Sequence, residues 1–460
     1  ETGGGNPGGG GETGGGNPGG GGETGGGNPS GDTGGSTQPS AVKQNPDGSL
    51  AVNPTTTTDS NGRKVAQADV ATNIILDALE HLPPTKDKNQ IVLQIPADGW
   101  DDFEIIFEAD LFRKLLDKNP MIVLVVQSKF SAFHFPASTV QKSLEQFKVP
   151  LTGAHVKLRM SKKSPVNDEL LRQLGISSVT TPIDYKMSLI EKDGSDHPLN
   201  QFDSYTKHFL TVPSSFSKTA FSLLAGVMVD PVTGKYYPVP TVFTKDSNGN
   251  VQAQIYGKNN AVYAVIVKSK TFRDIENSYA KEAITTLSSK YVLSGYADGS
   301  FQPAKTVTRA EFITMLTRAL GVLPDNGNQS GFTDVKPGDW FSQSVEAAVQ
   351  ARLISGYADG SFRPNAEISR MEMLQMIYNA MRSSGMWKET VSAGDIDKIL
   401  SSYADHDKIP AWAKEAMAVA IKTGITNGVA DGQLAPAMNA DRAQSASFLY
   451  RMLQILKLIN

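Results

Sequence analysis

Three arginines stand at corresponding positions of three similar segments in the last third of this 460-residue chain. They are Arg309 in TVTRAEF, Arg370 in EISRMEM and Arg442 in NADRAQS. Each is predicted to occupy the first position of a helix, where a cation is mildly unfavourable against the helix dipole. A guanidinium placed three times against this local preference indicates a role outside its own helix.

Acids and histidines elsewhere in the chain do not form a recognisable catalytic or metal-binding pattern. GWDDFE (99–104) clusters acids beside Trp100, and glycosidases use paired carboxylates. Asp101 and Asp102 would point to opposite faces of a strand, which makes them a poor pair. None of the six histidines has the tight spacing of zinc ligands, and no G-x-S-x-G elbow is present in the sequence. The sequence therefore predicts no catalytic residue, no metal site and no cofactor.

The residues around each arginine predict the helix that must position it. A residue suited to N-capping precedes each arginine, because its side-chain oxygen can accept a hydrogen bond from a first-turn amide. The cap candidates are Thr308, Ser369 and Asp441. An acid or amide follows three residues later, at the spacing of a capping box. These residues are Glu311, Glu372 and Gln444. Apolar residues then recur along one helix face, so caps and faces are explained by folding alone.

Composition limits the class of protein. The net charge is −3 and the pI is near 6.1, so nothing points to nucleic acid. The chain has no cysteine, which fits an exported bacterial protein better than a cytosolic one. The longest apolar run, MIVLVV (121–126), is far shorter than the roughly 18 residues of a membrane span. The chain starts at Glu1 inside a repeat without a visible signal peptide, which indicates a processed chain or a fragment.

Two regions precede the arginine segments. Residues 1–37 repeat ETGGGNPGGGG and are predicted to be a disordered, flexible spacer, and the polar stretch up to residue 64 is assigned to the same linker. Residues 65–270 predict a β-rich (α+β) domain of unknown role, with Val- and Ile-rich runs and an Asn-Gly hairpin signal within 245–255. Short helices are predicted near 69–80, 108–117 and 138–147.

Residues 272–460 contain three similar units, predicted as 272–331, 332–400 and 401–460. Each unit opens with an aromatic residue and an acid, as in FTDV, and continues through a turn such as GYADGSF. Each ends with the capped helix that carries the arginine. Repeats of this kind usually complete a shared core by stacking on one another.

The aromatic-x-Asp opening, the GYxDGxFxP turn and the TRAE helix start together resemble the S-layer homology (SLH) family over roughly residues 272–460. The resemblance implies an all-α, pseudo-threefold arrangement of the three repeats at the end of an exported chain. It implies non-covalent anchoring to secondary cell-wall polysaccharide, commonly pyruvylated, in grooves between repeats. The expected location is extracellular, at the cell wall or S-layer, with S-layer neighbours as further partners and neither nucleic acid nor a membrane span.

The resemblance also implies polysaccharide-binding residues at matching positions of the repeats. The acids near the repeat starts are Asp274, Asp334 and Asp405. The groove glycines are Gly295, Gly356 and Gly428. The aromatic position holds Tyr279, Trp340 and Trp412, with tyrosine replacing the family's tryptophan in repeat 1. Arg309, Arg370 and Arg442 would grip the ketal carboxylate of a pyruvylated sugar with two hydrogen bonds. The third repeat departs most from the family pattern, so its groove is expected to bind weakly or not at all.

Each of these assignments has a folding alternative. The arginines could form ion pairs with an acid of a neighbouring repeat, and the three aspartates could cap the first helices of the repeats. Trp340 and Trp412 could be core residues instead of sugar-stacking platforms, because aromatic faces suit both environments. The sequence leaves these alternatives open.

Three functions follow. The first is a non-catalytic cell-surface or S-layer-associated protein, anchored by its C-terminal repeats. The second is the anchoring part of a large extracellular polysaccharide-degrading enzyme or scaffold, whose functional domain lies upstream of Glu1. The third makes residues 65–270 a carbohydrate- or protein-binding module. The sequence upstream of Glu1 would discriminate between the first two.

Overall fold

The computed structural model describes residues 42–84, 87–147, 150–164, 177–230, 233–324 and 330–460. The glycine-rich repeats at 1–37, predicted to be a disordered spacer, lie outside the described residues. Strands dominate up to residue 267 and helices from residue 281 onward. The chain therefore has a β-rich part followed by a helical part.

Two sheets make up the β-rich part. The described strands are β1 (Val42–Gln44), β2 (Leu50–Val52), β3 (Thr55–Thr58), β4 (Lys64–Val70), β5 (Gln90–Gln94), β6 (Asp102–Glu108), β7 (Val123–Gln127), β8 (Ser131–Pro136), β9 (His155–Lys162), β10 (Ser177–Ser178), β11 (Ile183–Ile190), β12 (Asp196–Pro198), β13 (Gln201–Val212), β14 (Leu224–Val229), β15 (Tyr236–Pro238), β16 (Thr241–Lys245), β17 (Val251–Asn259) and β18 (Ala261–Val267). An eight-stranded sheet has the order β1-β2-β5-β7-β8-β13-β17-β16, and a ten-stranded sheet has the main order β15-β14-β18-β11-β9-β6-β4-β3.

The core of the β-rich part lies between these sheets. Most pairs are antiparallel, whereas β2–β5, β5–β7 and β4–β6 are parallel. Alternating burial along β6 sends Phe103, Ile105 and Phe107 inward, as the two-residue strand period requires. They join apolar residues of the other sheet, such as Leu93 and Phe135, in one cluster. The β-hairpin predicted within 245–255 is confirmed as β16–β17, with Gly249 at φ 79° in its turn.

Ten α-helices occur in the described ranges. They are α1 (Thr72–Glu80), α2 (Leu111–Lys118), α3 (Ala137–Phe147), α4 (Lys281–Ser289), α5 (Arg309–Leu320), α6 (Ser342–Gln350), α7 (Arg370–Ser383), α8 (Ala393–Leu400), α9 (Ala411–Lys422) and α10 (Arg442–Ile455). The first three confirm the helices predicted within the β-rich region. Within the part of the chain that the structure describes, no helix is both long and apolar enough to cross a membrane.

The linker predicted up to residue 64 is wrong over its described part. Residues 42–64 contain three strands, and Leu50 and Val52 are 1% and 2% exposed. β2 pairs with β5, and β3 pairs with β4 at the edge of the larger sheet. The composition is misleading because Thr55–Thr58 is an exposed edge strand, which needs no apolar face.

The β-rich and helical parts are docked through specific contacts. The Tyr205 hydroxyl donates to the Leu320 carbonyl at 2.9 Å. Lys290 Nζ donates to the carbonyls of Phe221 and Leu224 at 3.2 and 2.9 Å. Tyr205 also belongs to the apolar cluster formed by the repeats. These contacts fix the first repeat against the β-rich part.

A buried histidine in the β-rich part predicts that its stability falls in acid. His208 is 0% exposed and stacks on Phe133 with ring centroids 4.5 Å apart. Burial, reinforced by the nearby His134, holds the pKa of His208 well below its ordinary value. The unfolded chain, where histidine titrates near pH 6.5, therefore binds the proton first. The free energy of unfolding should fall below about pH 6.5, by up to about 1.4 kcal/mol per pH unit for this group.

Denaturant unfolding between pH 7.5 and 5 measures this slope. His208→Phe should reduce the slope of the free energy of unfolding against pH by about the contribution of one titrating group. His134, whose pKa is lowered to about 4 by burial and by Lys207, should retain its own share. An unchanged slope in the variant would assign the acid sensitivity to other groups.

Candidate functional site at the repeat junctions

The predicted N-caps are confirmed at all three arginine-bearing helices. The Thr308 hydroxyl accepts from the Glu311 amide at 3.2 Å, and the Glu311 carboxylate accepts from the Thr308 amide at 2.9 Å. Ser369 and Glu372 form the same capping box on α7. On α10 the Asp441 carboxylate accepts from the Gln444 amide at 2.7 Å, without the return bond of a box. The caps fix the first residue of each helix and thereby position the arginine side chain.

Arg309 reaches from repeat 1 into repeat 2. Its side chain is buried, with 5% of the residue exposed. Nε donates to the Phe362 carbonyl at 2.8 Å, and Nη1 donates to Glu372 at 2.9 Å. The ion pair with an acid of the neighbouring repeat, one of the two alternatives from the sequence, is therefore present for this arginine.

The other two arginines repeat this arrangement with neutral acceptors. Arg370 of repeat 2, 2% exposed, donates to repeat 3 at three points, each 3.0–3.1 Å long. The acceptors are the Leu434 carbonyl, the Gln444 side chain and the Thr426 hydroxyl. Arg442 of repeat 3, 4% exposed, donates to the Phe301 and Ser294 carbonyls of repeat 1 at 2.7 and 2.6 Å. The arginine contacts thus run from repeat 1 to 2, from 2 to 3 and from 3 back to 1.

Short backbone bridges follow the same closed order. Thr308 pairs with Glu367, Ser369 with Asn439, and Thr306 with Asp441. Each bridge lies beside a helix start and joins two different repeats. The helix starts are therefore the points at which the repeats are joined.

The three repeat-start aspartates brace the turns that the arginines contact. Asp274 accepts from the amides of Phe301 and Gln302 at 2.9 and 2.7 Å. Asp334 and Asp405 make the equivalent bonds in repeats 2 and 3. Although burial acts in the opposite direction, these amide bonds hold the pKa of Asp274 below its ordinary value. The alternative that these aspartates cap the first helices is wrong, since the N-cap positions of α4, α6 and α9 are Ala280, Phe341 and Pro410.

One residue in each repeat links the aspartate to the arginine of the preceding repeat. The amide of Phe362 donates to Asp334, while its carbonyl accepts from Arg309. Leu434 and Phe301 hold the same place at the other two junctions. Sequence reasoning missed this link, although its signal was present in the recurring Phe of the GYADGSF turns.

The predicted groove glycines allow an aromatic ring to pack on the same turns. A Cβ at Gly295 would lie 2.2 Å from the ring of Phe272, and one at Gly356 would lie 2.2 Å from the ring of Phe332. At Gly428 the nearest atom would be the Gln433 carbonyl, at 2.5 Å. Any side chain at these positions would displace the turn or the ring.

The three predicted aromatic residues lie on the surface. Tyr279, Trp340 and Trp412 are 71%, 65% and 52% exposed, so the core alternative for the tryptophans is wrong. Tyr279 lines an open groove of about 430 Å³ with Asp274 of repeat 1 and Asp441 of repeat 3. Trp340 lines a groove of about 510 Å³ with Thr317 and Arg318 of repeat 1. The structure thus brings Tyr279 and Asp274 together, while the arginines lie beneath the surface.

The electrostatic character of the two grooves differs. Around Tyr279, Arg273 is accompanied by three acids, Asp274, Glu276 and Asp441. Burial raises the pKa of the Asp441 carboxyl. Around Trp340 the described lining residues include Arg318 and Lys235 and no acid. Arg318 was not predicted from the sequence, and its place in the last turn of α5 offers no pattern by which to find it.

Comparison with known proteins identifies the repeats. The family model described as S-layer homology domain matches residues 271–313, 331–374 and 402–446. The chain is 37% identical over 193 residues to an amylopullulanase of Thermoanaerobacterium thermosulfurigenes, which is 42% of this chain and 10% of that protein. It is 32% identical to the surface-layer 125 kDa protein of Lysinibacillus sphaericus over 33% of this chain and 12% of that protein.

A cellulosome-anchoring protein of Acetivibrio thermocellus is 26% identical over 35% of each chain. This chain thus spans between 10% and 35% of the lengths of the three relatives. The family and the surface-layer relatives indicate an extracellular location at the cell wall, and the repeats are an anchoring module rather than a catalytic one. The C-terminal part of the chain therefore carries three S-layer homology domains, at residues 271–313, 331–374 and 402–446.

Proposed function

We propose that the three repeats anchor this chain non-covalently to secondary cell-wall polysaccharide that carries pyruvyl ketals. The observation that carries the proposal is the pair of open grooves between repeats, each with an exposed aromatic side chain at its edge. An aromatic face exposed in a groove suits the C–H surface of a sugar ring, and its exposure has no folding benefit. The chain itself acts as an anchor without catalytic activity, with the wall polysaccharide and S-layer neighbours as partners.

The repeats are proposed to form an all-α, pseudo-threefold unit. The closed order of the arginine contacts and of the backbone bridges supports this arrangement, because three equivalent junctions need a threefold relation. Such a unit presents three grooves of related shape. The sequence differences between repeats then give the grooves different affinities, and the groove of the third repeat is proposed to be the weakest.

The proposed binding residues fall into two groups. Tyr279, Trp340 and Trp412 contact the sugar directly. The junction residues keep the groove walls in register from beneath the surface. This second group comprises Arg309, Arg370, Arg442, Asp274, Asp334, Asp405, Gly295, Gly356 and Gly428.

A second candidate function is that this chain is the anchoring part of a larger extracellular polysaccharide-degrading enzyme or scaffold. It is favoured by the amylopullulanase comparison, in which the matched region makes up only 10% of the relative. The genomic sequence around the coding region tests it. A catalytic domain in frame before Glu1 would support the enzyme, and a signal peptide directly before Glu1 would support the surface protein.

Binding to purified cell walls of the source organism tests the anchoring function. The whole chain should sediment with walls and should remain in solution when the walls have been stripped of their non-peptidoglycan polysaccharide. Trp340→Ala should weaken binding by roughly fivefold or more, since truncating an aromatic anchor costs at least about 1 kcal/mol. The same measurement applies to Tyr279→Ala and Trp412→Ala.

Phe130→Ala is the matched control, because Phe130 is an aromatic residue of the β-rich part with 46% exposure. This variant should bind walls as the unaltered chain does. Undiminished binding of the unaltered chain to bare peptidoglycan would contradict the polysaccharide assignment.

A further inference from the structure

The groove beside Trp340 has a wall that does not come from the repeats. Besides α5 and repeat 2, its lining includes the segment from Thr233 to Pro238, which ends in β15 of the β-rich part. The groove beside Tyr279 is lined by repeat residues only, within the described part of the chain. We infer that β15 and the repeats together form a composite groove that selects a carboxylate-bearing segment of the wall glycan. This inference rests on the proposed anchoring function.

The composite groove is held in place by the docking of α5 against the β-rich part. The last helical residue, Leu320, accepts the hydrogen bond of the Tyr205 hydroxyl. The next residue, Gly321, has φ 62°, and a Cβ there would lie 2.9 Å from Pro240 Cδ. The end of α5 therefore approaches the strand region directly after β15 as closely as a glycine permits. Tyr237 and Arg318 consequently face one groove from two different parts of the chain.

The charges in the composite groove favour an anionic ligand. Arg318 and Lys235 are both exposed, and neither forms an ion pair within the described residues. A guanidinium offers planar, paired donors that match a carboxylate. The three acids around Tyr279 would instead repel the same ligand. The anionic part of a glycan should therefore bind at the repeat 1–repeat 2 junction in preference to the repeat 3–repeat 1 junction.

The polar and aromatic lining suits a sugar chain rather than a free anion. Trp340 is 65% exposed, and Tyr237, half-buried, lines the same groove from β15. Two aromatic side chains beside a cation suit a sugar that bears a carboxylate.

Binding of the whole chain to purified wall polysaccharide, before and after mild acid removal of its ketal groups, tests the inference. Arg318→Gln should lower the affinity for untreated polysaccharide roughly tenfold or more. Tyr237→Ala should lower it several-fold. Arg273→Gln, which removes the cation of the other groove, is the matched control and should have a smaller effect than Arg318→Gln. Thermal unfolding of each variant shows that the fold is retained.

Removal of the ketals should weaken binding of the unaltered chain and should abolish its advantage over Arg318→Gln. A full-sized effect of Arg318→Gln on ketal-free polysaccharide would overturn the carboxylate assignment. Binding by the unaltered chain that neither variant diminishes would overturn the composite groove while leaving the anchoring function intact. No binding of the unaltered chain to untreated polysaccharide would overturn both.

Discussion

Replacing Arg370 by alanine is expected to lower the free energy of unfolding of the helical repeats by about 2–5 kcal/mol. The side chain is 2% exposed and donates three hydrogen bonds across the repeat 2–repeat 3 junction. Truncation leaves the buried Leu434 carbonyl and the half-buried Gln444 side chain without this donor, and a stranded buried acceptor costs about 1–3 kcal/mol. Thermal or denaturant unfolding followed by circular dichroism measures the loss.

Arg363→Ala is the matched control within the same repeat. Its side chain is 52% exposed and forms an i,i+4 pair with Asp359 at 2.9 Å. A pair of this kind contributes about 0.3–0.5 kcal/mol, so the variant should unfold almost as the unaltered chain does. Arg370→Lys should recover part of the loss, because lysine keeps the charge but cannot reach three acceptors with a planar fork.

The same variants discriminate between a structural and a ligand-binding arginine. If the arginine acts structurally, its alanine variant should lose stability first and should lose wall binding only when the repeats unfold. If Arg370→Ala unfolds like the unaltered chain and yet fails to bind wall polysaccharide, the guanidinium acts on the ligand directly. Measurement of binding well below the unfolding temperature of each variant keeps the two effects apart.

Gly356→Ala is the second substitution with a large expected effect, and it should lower the free energy of unfolding by about 2–4 kcal/mol. The backbone at Gly356 has φ 69°, a conformation that costs a non-glycine residue roughly 1–2 kcal/mol. The added Cβ would also lie 2.2 Å from Phe332 Cε1 and 3.0 Å from the Ser361 carbonyl. Overpacking of this kind typically costs about 1–3 kcal/mol.

Gly360→Ala separates the two contributions, because Gly360 lies in the same turn at φ 76° with its nearest Cβ neighbour 3.9 Å away. This variant should lose only the stability that the positive φ angle costs a non-glycine residue, roughly 1–2 kcal/mol. The double variant Phe332→Leu with Gly356→Ala should lose less stability than the sum of the two single losses, since the smaller side chain makes room for the added Cβ. Equal losses for Gly356→Ala and Gly360→Ala would mean that the ring moves aside without cost.

Local features of the site could be predicted from the sequence because they depend on residues three or four positions apart. The N-caps at Thr308, Ser369 and Asp441 needed only a side-chain oxygen and a nearby amide. The recurrence of the aromatic-x-Asp and TRAE patterns sufficed to identify the three repeats. The Asn-Gly turn likewise specified its hairpin through the backbone angles that glycine allows.

Only the tertiary structure determines which residues the arginine side chains contact. Arg309 and Arg442 bond to carbonyls 53 and 141 residues away along the chain. No local rule gives the destination of a side chain that leaves its helix, because it depends on which turn of another repeat packs against that helix. The exposure of Trp340 was undetermined for the same reason, since an aromatic residue suits a core and a groove equally well.

The largest difference between sequence and structure lies at residues 42–64. Their polar composition indicates a linker, yet a short strand needs few apolar residues when a neighbouring strand satisfies its backbone groups. β2 finds that neighbour in β5, whose partner residue Leu93 lies 43 positions beyond Leu50. The sequence by itself therefore determined the repeats, their caps and their family. The three-dimensional pairing of distant segments decided the start of the β-rich part, the junction contacts and the wall that β15 adds to the groove beside Trp340.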